Sequence, residues 1–210
     1  IELEVNGVAV ELHSTPAIMN NPVYNHRLQK WLKRNADLQC SNIVSLPDNA
    51  GDVAVPTSYF NCVYQLFHLY HHYFYEGVGL RQIVDYYYVL GKSEEGRVKN
   101  LTASQRELKH LGLWKFSGAV MYVLHVVLGL PEERMIRPMD VKRGRVFLDE
   151  ILSGGNFGHY DTRISFGNGA FGHNMQRLYR DLRLAWYYPA EALSEPFFRT
   201  WHFFWRLRHK

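Results

Sequence analysis

The sequence contains little cysteine, with only Cys40 and Cys62 among its 210 residues. These two residues lie in segments of different character, and the chain has no Cys-x-x-Cys pair. The sequence therefore predicts neither a disulfide framework nor a zinc site built from cysteines. This cysteine content is typical of a reducing compartment, so we predict a cytoplasmic protein.

Long apolar runs are also missing from the chain. The most apolar stretch, GAVMYVLHVVLGLP, is interrupted by His125 and is shorter than the ~20 residues that a bilayer span needs. The start of the chain lacks the charged and apolar regions of a signal peptide. We therefore expect a soluble protein with no membrane partner.

The charges of the two signs are nearly balanced. The 24 Lys and Arg residues against 20 Asp and Glu residues give a net charge of +4, spread over many short clusters. Nucleic-acid binding usually shows as a basic stripe or patch, so we do not expect nucleic acid as a partner. A small ligand that carries phosphate is compatible with this charge.

The sequence is rich in hydrophobic residues, at 47%, and in aromatic residues, at 15%, which is enough for a sizeable core. From Pro56 onward the apolar positions recur at steps of three and four, which predicts a succession of helices. Thr102 and Gln105 match a capping box and predict one helix start. The mostly apolar stretch from 114 to 128 predicts the central helix of a bundle, and strand character is confined to the beginning of the chain.

The chain opens with IELEVNGVAVELHS, in which Asn6-Gly7 predicts a tight hairpin turn, because both central residues of such a turn need positive φ. The resulting register places Leu3 opposite Val10 on an apolar side. Glu2 lies opposite Glu11 on the other side. Like charges at facing positions destabilise strand pairing, so solvent, a cation or a raised pKa must relieve the repulsion.

The stretch HLYHHYFYEGVGLRQIVDYYYVLG carries a dense set of side chains capable of chemistry. His68 and His72 are four residues apart, as paired zinc ligands are, but Leu69 stands where the hydrolytic zinc motif has glutamate. The pattern favours histidines that pack or hydrogen-bond within the bundle. A histidine-bearing metal hydrolase is the weaker alternative.

Two glycines in the same stretch, Gly77 and Gly79, predict a tight turn into the next helix. On that helix Arg81 and Asp85 are four residues apart, a spacing that suits an ion pair on the helix surface. The functional alternative is that Arg81, close to the free backbone N–H groups of the helix start, forms a seat for phosphate or carboxylate.

Two further stretches are less specific. The segment GGNFGHYDTRISFGNGAFGHN is rich in glycine, but its spacing matches no phosphate-binding pattern and favours an ordered surface loop. The C-terminal RTWHFFWRLRHK is basic and aromatic, as are helices that lie on membrane surfaces. We expect instead that Trp201, Phe204 and Trp205 pack on the bundle.

Three stretches in this order, VAVELH, HHYFYEGVGLRQIVDYYYVL and LSGGNFG, resemble the uncharacterised bacterial nucleotidyltransferases of the polymerase-beta-like superfamily that carry a helical C-terminal region. The middle stretch is the specific one, and the resemblance covers most of the chain. It implies an α+β fold, in which a small N-terminal β-hairpin, the remnant of a nucleotidyltransferase sheet, precedes a mainly α-helical bundle. Residues 1–55 would be the C-terminal part of the nucleotidyltransferase-like α/β domain, and residues 56–210 the helical domain.

The resemblance also implies a chemistry. Such enzymes hold two divalent metal ions, here expected to be Mg²⁺, with two carboxylates of a Gly-Ser…Asp-x-Asp element and a third from a neighbouring strand. Glu11 matches the third carboxylate and is the expected metal ligand and catalytic residue. His13 is expected to orient Glu11 or the substrate, and Arg81 with Asp85 to organise the acceptor side or the fold. The partners are then a nucleoside triphosphate and an unknown acceptor.

The sequence departs from the family pattern, because the Gly-Ser…Asp-x-Asp element is missing from these 210 residues. The first residue, Ile1, already lies in the strand pattern and is not Met, so we expect that preceding residues are absent. We also expect no transferase activity from this chain alone. The alternative function is a non-catalytic helical interaction or scaffold module whose aromatic grooves bind a partner, and it applies if the natural chain begins at Ile1.

Overall fold

The computed structural model describes residues 2–5, 7–11, 15–75, 77–92, 97–154 and 170–208. Two antiparallel hairpins lie in the first quarter of the chain, and helices make up most of the rest, which confirms the α+β class with a helical bundle. The described elements are β1 (Glu2–Val5), β2 (Val8–Glu11), α1 (Pro22–Ser41), β3 (Ile43–Ser45), β4 (Asp52–Ala54), α2 (Ser58–Tyr75), α3 (Leu80–Lys92), α4 (Arg97–His110), α5 (Trp114–Val126), α6 (Val141–Gly154), α7 (Ala170–Ala185), α8 (Pro189–Ala192) and α9 (Ser194–Arg208).

The predicted register of the first hairpin is confirmed, with Leu3 paired to Val10 and Glu2 paired to Glu11. Gly7 has a φ of 78°, the left-handed conformation that the tight turn requires. β3 and β4 form a second hairpin, which leads the chain from α1 to α2.

Helix α1 ties the first part of the chain to the bundle. It begins where the side chain of Asn21 accepts hydrogen bonds from two backbone N–H groups of the first turn. Its Trp31 is buried and stacks on Phe60 of α2, with 4.6 Å between the ring centroids. Residues from both sides of position 56 therefore share one core, and the division into 1–55 and 56–210 stays a prediction.

Helix α5 is buried along most of its length, as its predicted central position requires. The ring of Phe116 lies edge-on to Phe147 of α6, with centroids 5.1 Å apart, and 6.1 Å from the ring of Tyr188. α6 approaches α5 closely at Gly144, where a Cβ atom would lie 2.2 Å from Cγ of Tyr122. A larger residue at this position therefore requires displacement of the tyrosine ring.

The predicted start of α4 is wrong. The helix begins at Arg97, so Thr102 lies inside the helix and is not its capping residue. The side chain of Gln105 has another partner, since its Nε2 donates to the backbone oxygen of Ile136 at 2.8 Å. This hydrogen bond links α4 to the segment between α5 and α6. The glycine-rich stretch before α7 falls largely outside the described residues, which resume at 170.

The expected packing of the C-terminal aromatic residues is also wrong. Trp201 and Phe204 of α9 are each 58% exposed and Trp205 is 44% exposed. Among the described residues, no helix is both long enough and apolar enough to cross a bilayer.

Candidate functional site

The first candidate residues lie on the N-terminal hairpin. Glu11 ends β2, and its backbone is paired with that of Glu2 at the start of β1. The side chains of Glu2 and Glu11, and the whole of His13, lie outside the described residues. The two glutamates are thus at facing positions of one strand pair, as predicted, and the roles of Glu11 and His13 stay predictions.

Most described side chains of the hairpin are exposed, whereas Val10 is half-buried. Val8, on the side expected to be apolar and covered, is 62% exposed, so that expectation is wrong at this position. Glu4 and Ala9 on the other side are exposed as well. No described helix makes an extensive contact with either strand.

Arg81 and Asp85 lie on the first two turns of α3. The glycine turn before them is confirmed by the φ of 90° at Gly77. The backbone N–H of Gly79 donates to Oε1 of Gln82 at 2.9 Å. This bond gives a partner to one of the backbone N–H groups at the helix start that have no partner within the helix. Arg81 and Asp85 are both exposed, and within the described residues no ion pair joins them. Arg81 is therefore accessible to an anionic group of a ligand.

The face of α3 opposite Arg81 and Asp85 packs against the core. Ile83, Tyr86 and Leu90 are buried, and the hydroxyl of Tyr86 donates to the backbone oxygen of Cys62 on α2 at 2.9 Å. Burial raises the pKa of Tyr86 well above its ordinary value, so this hydroxyl keeps its proton and its hydrogen bond. The helix that carries Arg81 is thus fixed to the core rather than loosely attached.

His68 and His72 of α2 approach each other as their spacing predicts, with 3.0 Å between their Nε2 atoms. At this distance one nitrogen carries the proton and the other accepts it. The interpretation of hydrogen-bonded histidines is therefore confirmed. Among the described residues, no group of three or more His, Cys, Asp or Glu side chains is arranged to hold a metal ion.

The family model of an uncharacterised nucleotidyltransferase matches residues 2–129, which is more than half of the chain. The chain belongs to this family. No curated protein and no solved structure gives a significant match to the chain. The family's description gives nucleotidyl transfer as its activity.

The match spans the elements from β1 to α5. It therefore includes all four candidate residues, namely Glu11, His13, Arg81 and Asp85. Helices α6 to α9 lie beyond the residues that the family model matches. Several features that sequence reasoning missed involve these later helices.

One such feature is a groove of about 660 Å³ between the start of α1 and α9. α9 contributes the rings of Phe197, Phe198 and Trp201, while α1 and the segment before it contribute amides and an imidazole. No Lys, Arg, Asp or Glu is among the described residues that line it. The groove is therefore poorly suited to a triphosphate and better suited to an uncharged, partly apolar group. In the sequence, the feature that could have indicated this groove was the aromatic content of the last helix.

A second missed feature is the buried carboxylate of Glu191 on α8. It accepts hydrogen bonds from the backbone N–H groups of Asn20, at 2.7 Å, and Asn21, at 3.3 Å. A negative charge at this position also suits the N-terminus of α1. No sequence pattern indicates this contact, because its partners are 171 residues apart.

A third missed feature is a pair of buried carboxyl groups, Asp181 on α7 and Glu195 on α9. Burial raises the pKa of Asp181 to about 7, and the charge of Glu195 and a hydrogen bond to it act in the same direction. The guanidinium groups of Arg180 and Arg199 oppose the change. The guanidinium of Arg199 lies 3.6 Å from Oε1 of Glu195.

Proposed function

We propose that this chain is a portion of a metal-dependent nucleotidyltransferase, which moves a nucleoside monophosphate from a nucleoside triphosphate to a hydroxyl group of an unknown acceptor. The observation that carries the proposal is the family match over residues 2–129. The hairpin register supports it, because Glu2 and Glu11 occupy facing positions where two negative charges need a counter-charge or solvent.

The donor set of the hairpin fits one side of a magnesium site. Mg²⁺ prefers carboxylate oxygens, and Glu11 is the proposed ligand, with Glu2 as its neighbour. Bound Mg²⁺ supplies neutralisation of the triphosphate and activation of the attacking hydroxyl. The carboxylates of one hairpin do not complete a two-metal site, so we expect no transfer by this chain alone.

The remaining candidate residues have supporting roles in the proposal. His13, two positions after Glu11, orients that carboxylate or the substrate. Arg81 lies beside the N-terminus of a helix and is exposed, so it binds an anionic group on the acceptor, and Asp85 one turn later organises the same face. We place the reaction in the cytoplasm, in keeping with Cys40 and Cys62, neither of which forms a disulfide.

The test compares Glu11→Gln with Glu4→Gln, which removes an exposed carboxylate from the same hairpin. Calorimetric titration of the full chain with Mg²⁺ and ATP should show metal-dependent binding that Glu11→Gln weakens by about tenfold or more. The Glu4→Gln control should bind as the unchanged chain does. Equal binding by both variants would remove Glu11 from the site, and transfer of a nucleotide by this chain alone would contradict the expected inactivity.

The second candidate function is a non-catalytic helical interaction module. The uncharged aromatic groove between α1 and α9 favours it, since this groove lies partly outside the residues of the family match. Absence of any metal-dependent nucleotide binding, with retained folding, would support this function over the enzyme.

A further inference from the structure

The groove between the start of α1 and α9 contains two side-chain amides whose orientation is fixed by hydrogen bonds. Oδ1 of Asn25 accepts from the backbone N–H of Met19 at 3.1 Å and from Nε2 of Gln29 at 3.2 Å. Nε2 of Gln29 also donates to the backbone oxygen of Ala17 at 2.7 Å. Exchanging oxygen and nitrogen in either amide would bring donor against donor or acceptor against acceptor, so these bonds determine which atom is which.

The same bonds leave one donor and one acceptor unused. Within the described part of the chain, Nδ2 of Asn25 and Oε1 of Gln29 have no hydrogen-bond partner. Both residues are half-buried and line the groove, so a ligand in the groove can reach these atoms. Because the two amides are bonded to each other, a single ligand group can meet both the unused donor and the unused acceptor.

Aromatic rings of α9 form the other wall of the groove. Phe197 and Trp201 line it and are 79% and 58% exposed, so a ligand can pack on their rings. The volume of about 660 Å³ is that of sites for small molecules, which usually combine apolar walls with a few placed polar groups. No Lys, Arg, Asp or Glu lines the groove among the described residues, so the groove favours an uncharged ligand.

We propose that this groove binds an uncharged small molecule in which a carboxamide or lactam group is joined to an aromatic ring. Such a group presents an acceptor and a donor on one edge, which complement Nδ2 of Asn25 and Oε1 of Gln29. A trans peptide bond carries its donor and acceptor on opposite edges and fits this pair less well. The ring of the ligand packs against Phe197 and Trp201. This inference does not depend on the proposed nucleotidyl transfer.

The experiment is an NMR titration of the full chain with three probes of nearly the same shape, namely benzamide, benzoate and benzamidine. Benzamide should bind with a Kd on the order of 1 mM, as suits a molecule of its size. Benzoate is charged and has no donor, and benzamidine is charged and has no acceptor, so each should bind about tenfold more weakly or less. Absence of benzamide binding, or equal binding of benzamide and benzoate, would overturn the proposal.

The variant Asn25→Asp tests the unused donor directly. A carboxylate at this position still accepts from Met19 and Gln29, but it replaces the unused donor with a charged acceptor. The variant should lose about tenfold or more in affinity for benzamide, and it should gain binding of benzamidine, whose two nitrogens both donate. Trp201→Ser should weaken benzamide binding by about threefold, because it removes one ring of the aromatic wall.

The matched controls lie outside the groove. Asn49→Asp makes the same change at an exposed residue, and Trp186→Ser removes a ring that is 80% exposed. Both controls should bind benzamide within about twofold of the unchanged chain. Circular dichroism should show that every variant is folded. If Asn25→Asp binds benzamide as tightly as its Asn49→Asp control does, the proposed contact is absent and the proposal fails.

Discussion

Replacement of Asp181 by asparagine should change how the stability of this protein depends on pH. The Asp181 carboxyl is 4% exposed and lies beside Glu195, and its pKa is raised from an ordinary value of 3.8 to about 7. Between these two pH values the folded state holds a proton that the unfolded state has released. The contribution of this group to stability is therefore fully present below about pH 4 and is lost as the pH rises through about 7.

The size of this effect follows from the two pKa values. Each pKa unit corresponds to about 1.4 kcal/mol, so the difference between 3.8 and about 7 corresponds to a loss of at most about 4 kcal/mol across this range. The asparagine amide retains a donor for Glu195 but has no proton to lose. Asp181→Asn should therefore match the unchanged protein near pH 4 and exceed its stability near pH 8, by about 1 to 4 kcal/mol.

The assay is urea unfolding at a series of pH values for the unchanged protein, Asp181→Asn and Asp37→Asn. Asp37 is exposed on α1 and serves as the control, for which no such change of slope is expected. If Asp181→Asn and the unchanged protein show parallel stability profiles between about pH 4 and about pH 8, the raised pKa of Asp181 is refuted.

Two further predictions concern the bundle and α3. Gly112→Ala should destabilise the fold by about 2 kcal/mol or more, because Gly112 has a φ of +77° and an added Cβ would lie 2.7 Å from the ring of Tyr24; thermal melts measure this. Gly129→Ala, with a φ of +70° and open space around its Cβ, is the control for the conformational cost alone, and an equal loss in both variants would rule out the ring clash. In the active protein, Arg81→Ala should leave nucleotide binding intact and weaken the use of acceptor, which steady-state kinetics with varied acceptor would show. Unchanged acceptor kinetics would show that Arg81 has no role in the use of the acceptor.

The features that the sequence predicted correctly depend on local chemistry. The Asn-Gly turn and the alternation around it determine the register that places Glu2 opposite Glu11, and this needs no knowledge of the rest of the chain. The positions of Arg81 and Asp85 on one helix follow in the same way from the glycine turn and the helical period.

The features that the sequence did not predict depend on distant partners. Gln105 matched a capping box, but its side-chain amide instead donates a hydrogen bond to the backbone oxygen of Ile136. A tertiary contact therefore takes the place of the predicted local one. The pairing of Asp181 with Glu195 depends on how α7 and α9 meet, which periodicity does not determine. For α9 the sequence indicated the aromatic residues but did not predict that Trp201, Phe204 and Trp205 stay exposed.

The packing around Phe116 has a consequence for the limits of this protein as a folding unit. The family match ends at residue 129, yet Phe147 and Tyr188, whose rings lie against Phe116, come after that point. A fragment cut at the homology boundary would expose this aromatic centre to water, and would also lose Glu191 from the start of α1. The segment that the family model matches is therefore shorter than the segment that shares this core, so we expect a truncated chain to need the residues through α8.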